Sequence, residues 1–215
     1  MQNLIFLHPF QYSPIGTTFA YNTSITSFQE FELFTSIKSL AANAFRQCGG
    51  YGGSIKIPDS VTSVGATCFF GSGFSTIIWS KNAKIGDGGN TPNQIMENSS
   101  NLEHLIMPHL KVFSGNGTCR GTSKLKKVYF PSTLTSIYVY QSFTSSAELY
   151  FYSTTPPTLT IGNNNIANFR DWCSKVYVPN DSLAAYQAAT NWSRIEAKLV
   201  GFDPTEIPYP YSEYD

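Results

Sequence analysis

The sequence is poor in charge. Only 13% of its 215 residues are Asp, Glu, Lys or Arg, and 14 basic residues balance 14 acidic ones. Without a net field of either sign, charge alone has no means of gathering nucleic acid or an anionic membrane. Cysteine is sparse: Cys48, Cys68, Cys119 and Cys173 lie far apart with no CxxC pair. That spacing excludes the usual zinc frameworks and leaves disulfide pairing open. No apolar run is long enough to span a bilayer. The opening Met1–Pro9 segment has too short an apolar stretch and no basic start for a secretory leader. Export is then expected only from a longer precursor or inside a virus particle.

Catalytic chemistry is equally thin. No nucleophile–base–acid set and no opposed pair of carboxylates has a recognised spacing, so a non-enzymatic chain with no cofactor is expected. Of the three histidines, His8, His104 and His109, the last two flank Leu105-Ile106-Met107-Pro108. They read more simply as exposed strand-flanking residues than as metal ligands. Gly49-Gly50-Tyr51-Gly52-Gly53 and Gly86-Asp87-Gly88-Gly89 lack the Lys-Ser/Thr ending and following helix of a phosphate loop, and read as turns. Asp87 alone is too few carboxylates for a calcium site.

What the chain does have is aromatics, 15% of the residues, set among Ser, Thr, Asn and Gly. Such a surface recognises by stacking and hydrogen bonds, and the same mix is usual in secreted or virion β proteins. It also has a repeat. Ile55-Lys56-Ile57-Pro58-Asp59-Ser60-Val61-Thr62-Ser63-Val64 returns as Val128-Tyr129-Phe130-Pro131-Ser132-Thr133-Leu134-Thr135-Ser136-Ile137. An alternating apolar strand ends at a proline, and a polar pair leads into apolar-Thr-Ser-apolar. Pro58 and Pro131 are 73 positions apart, about three units of roughly 24, in the leucine-rich-repeat range.

Intermediate copies are present. Leu105-Ile106-Met107-Pro108 and Val176-Tyr177-Val178-Pro179 keep the strand and proline, while Ile77-Ile78-Trp79 and Leu149-Tyr150-Phe151-Tyr152 are degenerate. Phe34 to Leu40 repeats the second half of the unit, and Ile25-Thr26-Ser27-Phe28 is a shorter echo. One such strand cannot bury its apolar face; stacked coils pair strands in parallel and build a continuous apolar ladder. Proline after the strand stops pairing because it has no N–H. Ala44-Phe45 and Cys68-Phe69 occupy corresponding places and are expected inside the coil. Asn82 to Asn101 is Gly- and Asn-rich, lacks a clean unit and predicts a protruding loop.

These motifs resemble the BspA-like leucine-rich repeats of bacterial surface proteins. The carrying residues are Ile57 to Val64, Ala44-Phe45-Arg46-Gln47-Cys48, and the ending Val176 to Pro179 followed by Leu183-Ala184-Ala185-Tyr186-Gln187-Ala188-Ala189 and Asn191-Trp192. The resemblance covers roughly residues 25 to 200. It implies a mainly β, right-handed repeat solenoid of parallel strands with a C-terminal helical cap. The expected organisation is an N-terminal cap or arm over 1–24, solenoid over 25–179, cap over 180–201 and tail over 202–215. In the cap, Asn180-Asp181-Ser182 offers N-cap residues before a helical pattern at Leu183, Tyr186 and Ala189. Trp192, Ile195 and Leu199 continue it as one apolar face.

The candidate partner-binding residues are Tyr129, Tyr138, Tyr140, Tyr150, Tyr152 and Lys127. Strand alternation places Tyr138 and Tyr140 opposite Ile137 and Val139, and sends Lys127 outward beside Tyr129. A row of amphipathic rings on adjacent coils is the kind of surface enriched in recognition, although packing is the plainer role for any single ring. Arg120, Lys124, Lys126 and Lys127 form the densest basic stretch, a solvated sheet edge or a patch for an acidic glycan. The resemblance implies an adhesion or ligand-binding module at the cell surface or outside the cell, engaging a protein or glycan, with neither nucleic acid binding nor membrane insertion. The alternative is a structural component of an extracellular or virion assembly, of phage tail or fibre type, forming oligomers through its termini.

Overall fold

In the computed structural model, which describes residues 15–25, 27–49, 52–86 and 93–212, the repeat becomes successive coils, each with up to two short strands. The strand before the proline position builds one side: β2 (Ser54–Lys56), β4 (Thr76–Ile78), β5 (His104–Ile106), β7 (Lys127–Phe130), β9 (Glu148–Phe151), β11 (Lys175–Pro179) and β12 (Leu199–Phe202). A second side holds β1 (Ser39–Leu40), β3 (Ser63–Val64), β6 (Val112–Asn116), β8 (Ser136–Tyr140) and β10 (Thr158–Ile161), of which the apolar-Thr-Ser-apolar motif opens β3 and β8. Every pairing among these strands is parallel. The chain is thus a β-rich repeat solenoid.

Register places like on like. Ile55, Ile77 and Leu105 align, as do Val128, Leu149, Val176 and Leu199. All are buried, each contributing about 1.5–3 kcal/mol of apolar transfer. The degenerate copies therefore keep their places in the ladder despite losing the motif's punctuation. The motif threonine ties one coil to the next. Thr62 and Thr135 each direct a backbone N–H and a hydroxyl at one carbonyl of the preceding coil, Lys38 and Lys111. The hydroxyls lie 3.3 and 3.0 Å from those oxygens, 24 positions back along the chain.

A third side closes the coil without strands. Phe45 N–H donates to the Cys68 carbonyl and Phe69 N–H to the Ile95 carbonyl, both at 2.8 Å. Ala44-Phe45 and Cys68-Phe69 lie inside as expected, their rings stacked at 5.1 Å. The Gly- and Asn-rich stretch continues the coil too: Ile85 bridges to Phe113, and Ile95 and Met96 are buried. Within the stretch 82–101 expected to protrude, positions 87–92, Asp87 among them, lie outside the described residues. So do most of the N-terminal arm, including His8, and Gly50-Tyr51.

The C-terminal cap departs from expectation in two details. After α1 (Ala167–Arg170) and β11, a 3₁₀ turn (Asn180–Ser182) leads into α2 (Leu183–Ala188), whose Ser182 makes no side-chain capping bond. Tyr186 and Trp192 nonetheless close the core, with Tyr186 Oη 2.9 Å from the Ser153 carbonyl and Trp192 Nε1 2.8 Å from the Pro157 carbonyl. Leu199 does not extend a helical face. It begins β12, which pairs with β11, because the edge of β11 presents backbone groups that a strand can satisfy and a helix cannot.

Candidate functional site

Alternation in β7, β9 and β11 sends Val128, Phe130, Leu149, Phe151, Val176 and Val178 inward. Their neighbours Tyr129, Tyr150 and Tyr177 therefore face out, in register across three coils. The rings stack as a ladder, with centroids 5.0 Å apart between Tyr129 and Tyr150 and 4.4 Å apart between Tyr150 and Tyr177. Phe202 meets Tyr150 and Tyr152 edge-on at 5.8 and 5.2 Å. Together these rings make a second apolar cluster, on the outside of the sheet and separate from the coil core.

One row along, Lys127, Glu148 and Lys175 align. Glu148 accepts from Tyr150 Oη at 3.2 Å and Tyr177 Oη at 3.5 Å. Lys127 is exposed, and its ammonium lies 5.7 Å from the Tyr150 ring centre. Burial first, then the Glu148 carboxylate, pushes the phenols of Tyr129 and Tyr150 above their ordinary range. Burial does the same to Tyr152. At neutral pH Tyr129, Tyr150 and Tyr152 therefore stay protonated, presenting flat rings beside the Lys127–Glu148–Lys175 row.

The other two candidate tyrosines lie elsewhere. Tyr138 and Tyr140 are on β8, in the second sheet, opposite the buried Ile137 and Val139 as expected. Tyr138 is buried, as Tyr150 and Tyr152 are, and the Tyr138 and Tyr140 rings pack instead against Gly162, where a Cβ would come within 2.7 Å of the Tyr138 hydroxyl. The six candidates are thus not one surface: Lys127, Tyr129, Tyr150 and Tyr152 come together, and Tyr138 and Tyr140 do not join them.

The basic stretch is divided as well. The Arg120 guanidinium is paired with Glu97 and Gln141 on the third side, while Lys124 reaches Glu103 at 3.7 Å. Lys124, Lys126 and Lys127 border an open depression with His104, Tyr129 and Tyr211. His104 shares a 3.2 Å hydrogen bond with the Tyr211 hydroxyl. Among the described residues no three His, Cys, Asp or Glu side chains converge as metal ligands. The four cysteines are buried free thiols.

Six copies of the BspA-type leucine-rich repeat match residues 15–150. The chain belongs to the BspA-type leucine-rich repeat family. Proteins of this family are typically surface-associated repeat proteins without enzymatic activity. Comparison with individual curated proteins finds no match. β10, β11 and β12 carry the pairing of the BspA-type coils beyond the matched residues. No helix among the described residues is long and apolar enough to cross a membrane.

Sequence reasoning passed over Tyr177, Phe202, Tyr209 and Tyr211. Tyr177 had a signal, since in Val176-Tyr177-Val178-Pro179 it holds the place that Tyr129 holds in its own unit. Phe202 and the tail tyrosines carry no period, and only the folded chain brings them to the ladder.

Proposed function

We propose that this protein is a non-enzymatic adhesion or ligand-binding module that engages a protein or glycan at a cell surface through the outer aromatic face of its β7–β9–β11–β12 sheet. The observation that carries the reading is the stacked Tyr129–Tyr150–Tyr177 ladder with Lys127 at its rim. A packed solenoid needs no such row on its outside. Rings held in register by a parallel sheet lose little conformational freedom on binding, and they offer stacking area with phenol oxygens able to accept hydrogen bonds. Repetition over coils gives reach and area to contacts that are individually weak.

The test is capture of cell-surface and matrix proteins and glycans on beads carrying many copies of the intact chain. Saturable binding that Tyr129→Ala and Tyr177→Ala abolish, and Tyr140→Ala leaves intact, supports this face. The reverse pattern moves the site to the second sheet. Absence of binding together with self-assembly in solution favours a structural component of an extracellular or virion assembly.

A further inference from the structure

The segment after β12 returns over the face just described. A turn is set at Asp203, whose carboxylate accepts from the Thr205 N–H at 2.8 Å and the Thr205 hydroxyl at 2.7 Å. Its carbonyl accepts from the N–H groups of Glu206 and Ile207. The chain is thereby sent back across the sheet. The Tyr152 hydroxyl meets the carbonyls of Ile207 and Pro208 at 3.0 and 3.2 Å. Tyr209 packs edge-on against Tyr152 at 5.2 Å and donates to the Met107 carbonyl at 3.1 Å. Tyr211 packs edge-on against Tyr129 at 5.8 Å and reaches His104.

The chemistry of this contact is specific. The sheet supplies ring faces and a phenol donor; the tail supplies two carbonyls and two rings, spaced by prolines. Pro208 and Pro210 have no N–H, so the segment cannot enter a strand ladder, and their fixed φ limits the freedom it loses on docking between the turns at 204–206 and 210–211. Proline-bearing peptides are recognised by aromatic surfaces whose donors read the exposed carbonyls, and the Tyr152 hydroxyl does so here at Ile207 and Pro208. The hold is also slight. Ile207, Pro208 and Pro210 remain exposed, and within 204–212 only Pro204, Tyr209 and Tyr211 are half-buried.

We propose that the aromatic face binds peptides in which prolines alternate with tyrosines, and that residues 204–212 are its built-in first occupant, displaced by a partner of the same chemistry. The proposal rests on the reading of this face as the binding surface, and it narrows the partner from protein or glycan to a proline–tyrosine peptide segment. A tail tethered through so short a turn competes at an effective concentration of about millimolar. Single weak ligands are thereby excluded, and multivalent partners are admitted.

The experiment measures binding of a fluorescent synthetic peptide with the sequence of residues 205–212, by anisotropy, to the full-length wild type and to the full-length Tyr209→Ala/Tyr211→Ala variant. Saturable binding to the variant, tighter than to wild type by on the order of tenfold or more, is expected. Adding Tyr152→Phe, or replacing both peptide prolines by alanine, should weaken it by a similar factor. Should the double variant lose its cooperative melt, Tyr211→Ala alone supplies the same comparison. Equal affinity for wild type and variant, no saturation to about 1 mM, or binding indifferent to Tyr152→Phe overturns the proposal. So does a concentration-dependent wild-type oligomer that Tyr209→Ala/Tyr211→Ala returns to monomer, since the tail would then occupy a second copy. If the peptide fails while bead capture persists and still depends on Tyr177, the inference falls and the binding face stands. If both fail, the face itself is not a binding surface.

Discussion

Cys48, Cys68, Cys119 and Cys173 point into the coils, and burial pushes their thiols up from 9.0 to about 12. The phenols of Tyr129, Tyr150, Tyr152 and Tyr186 are raised as well, chiefly by burial. Each of these groups is held neutral by the fold and ionises more readily once unfolded. The unfolded chain therefore binds fewer protons at alkaline pH, and stability falls as pH rises. Their contribution is fully present below about pH 9 and is lost progressively as pH climbs toward 12. Melts recorded at steps from pH 7 to 11 should show a constant midpoint to about pH 9 and a decline beyond it. At pH 8 the thiols should resist alkylation in the folded protein, and all four should react in denaturant.

Elements in this molecule are defined by what lies one coil away. Gly65 shows how closely coils approach: a Cβ there would lie 2.8 Å from the Ala41 carbonyl carbon and run into the Ala42 backbone as well. Gly65→Ala must push two coils apart, and a cost of about 1–3 kcal/mol is expected from overpacking. Gly16→Ala, where a Cβ meets nothing within 4 Å, should leave the melt almost unchanged, and urea denaturation of the pair measures the contrast.

At the other end, Trp192 is fully buried and packs edge-on against Phe151 and Tyr186 at 5.1 and 4.9 Å. Trp192→Ala removes that ring and strands the Pro157 carbonyl. It should cost about 3–5 kcal/mol and, by opening the last coil, promote association on size-exclusion chromatography. Unchanged melting and a monomeric peak would refute the capping role.

For the whole molecule, the balance of 14 basic and 14 acidic residues means that partners are not steered from a distance. Binding through rings and hydroxyls, with Lys127 contributing only at the rim, should depend weakly on ionic strength. Raising salt from about 50 to 500 mM should change affinity by less than about threefold. A slope near tenfold per decade of salt would instead point to the lysines bordering the depression beside Tyr211.

The strands before the proline position from β2 to β11, their stacking and their inward set were readable from the chain alone, because a period near 24, a proline after most of them and alternation of two are local patterns, whereas β6, β10 and β12 lack such a signature. Even the motif threonines carry a local signature for an inter-coil bond. Leu199 was misplaced because i, i+3 and i+7 spacing fits a helix, while the edge of β11 demanded a strand. Alternation says which side chains face out of a coil but not which sheet a strand joins, so Tyr138 and Tyr140 seemed to belong with Tyr129 and Tyr150. The seating of the tail was beyond any local reading. Tyr209 and Tyr211 meet partners 102 and 107 positions away, a juxtaposition created only when the coils have stacked and the turn at Asp203 has aimed the chain back across them.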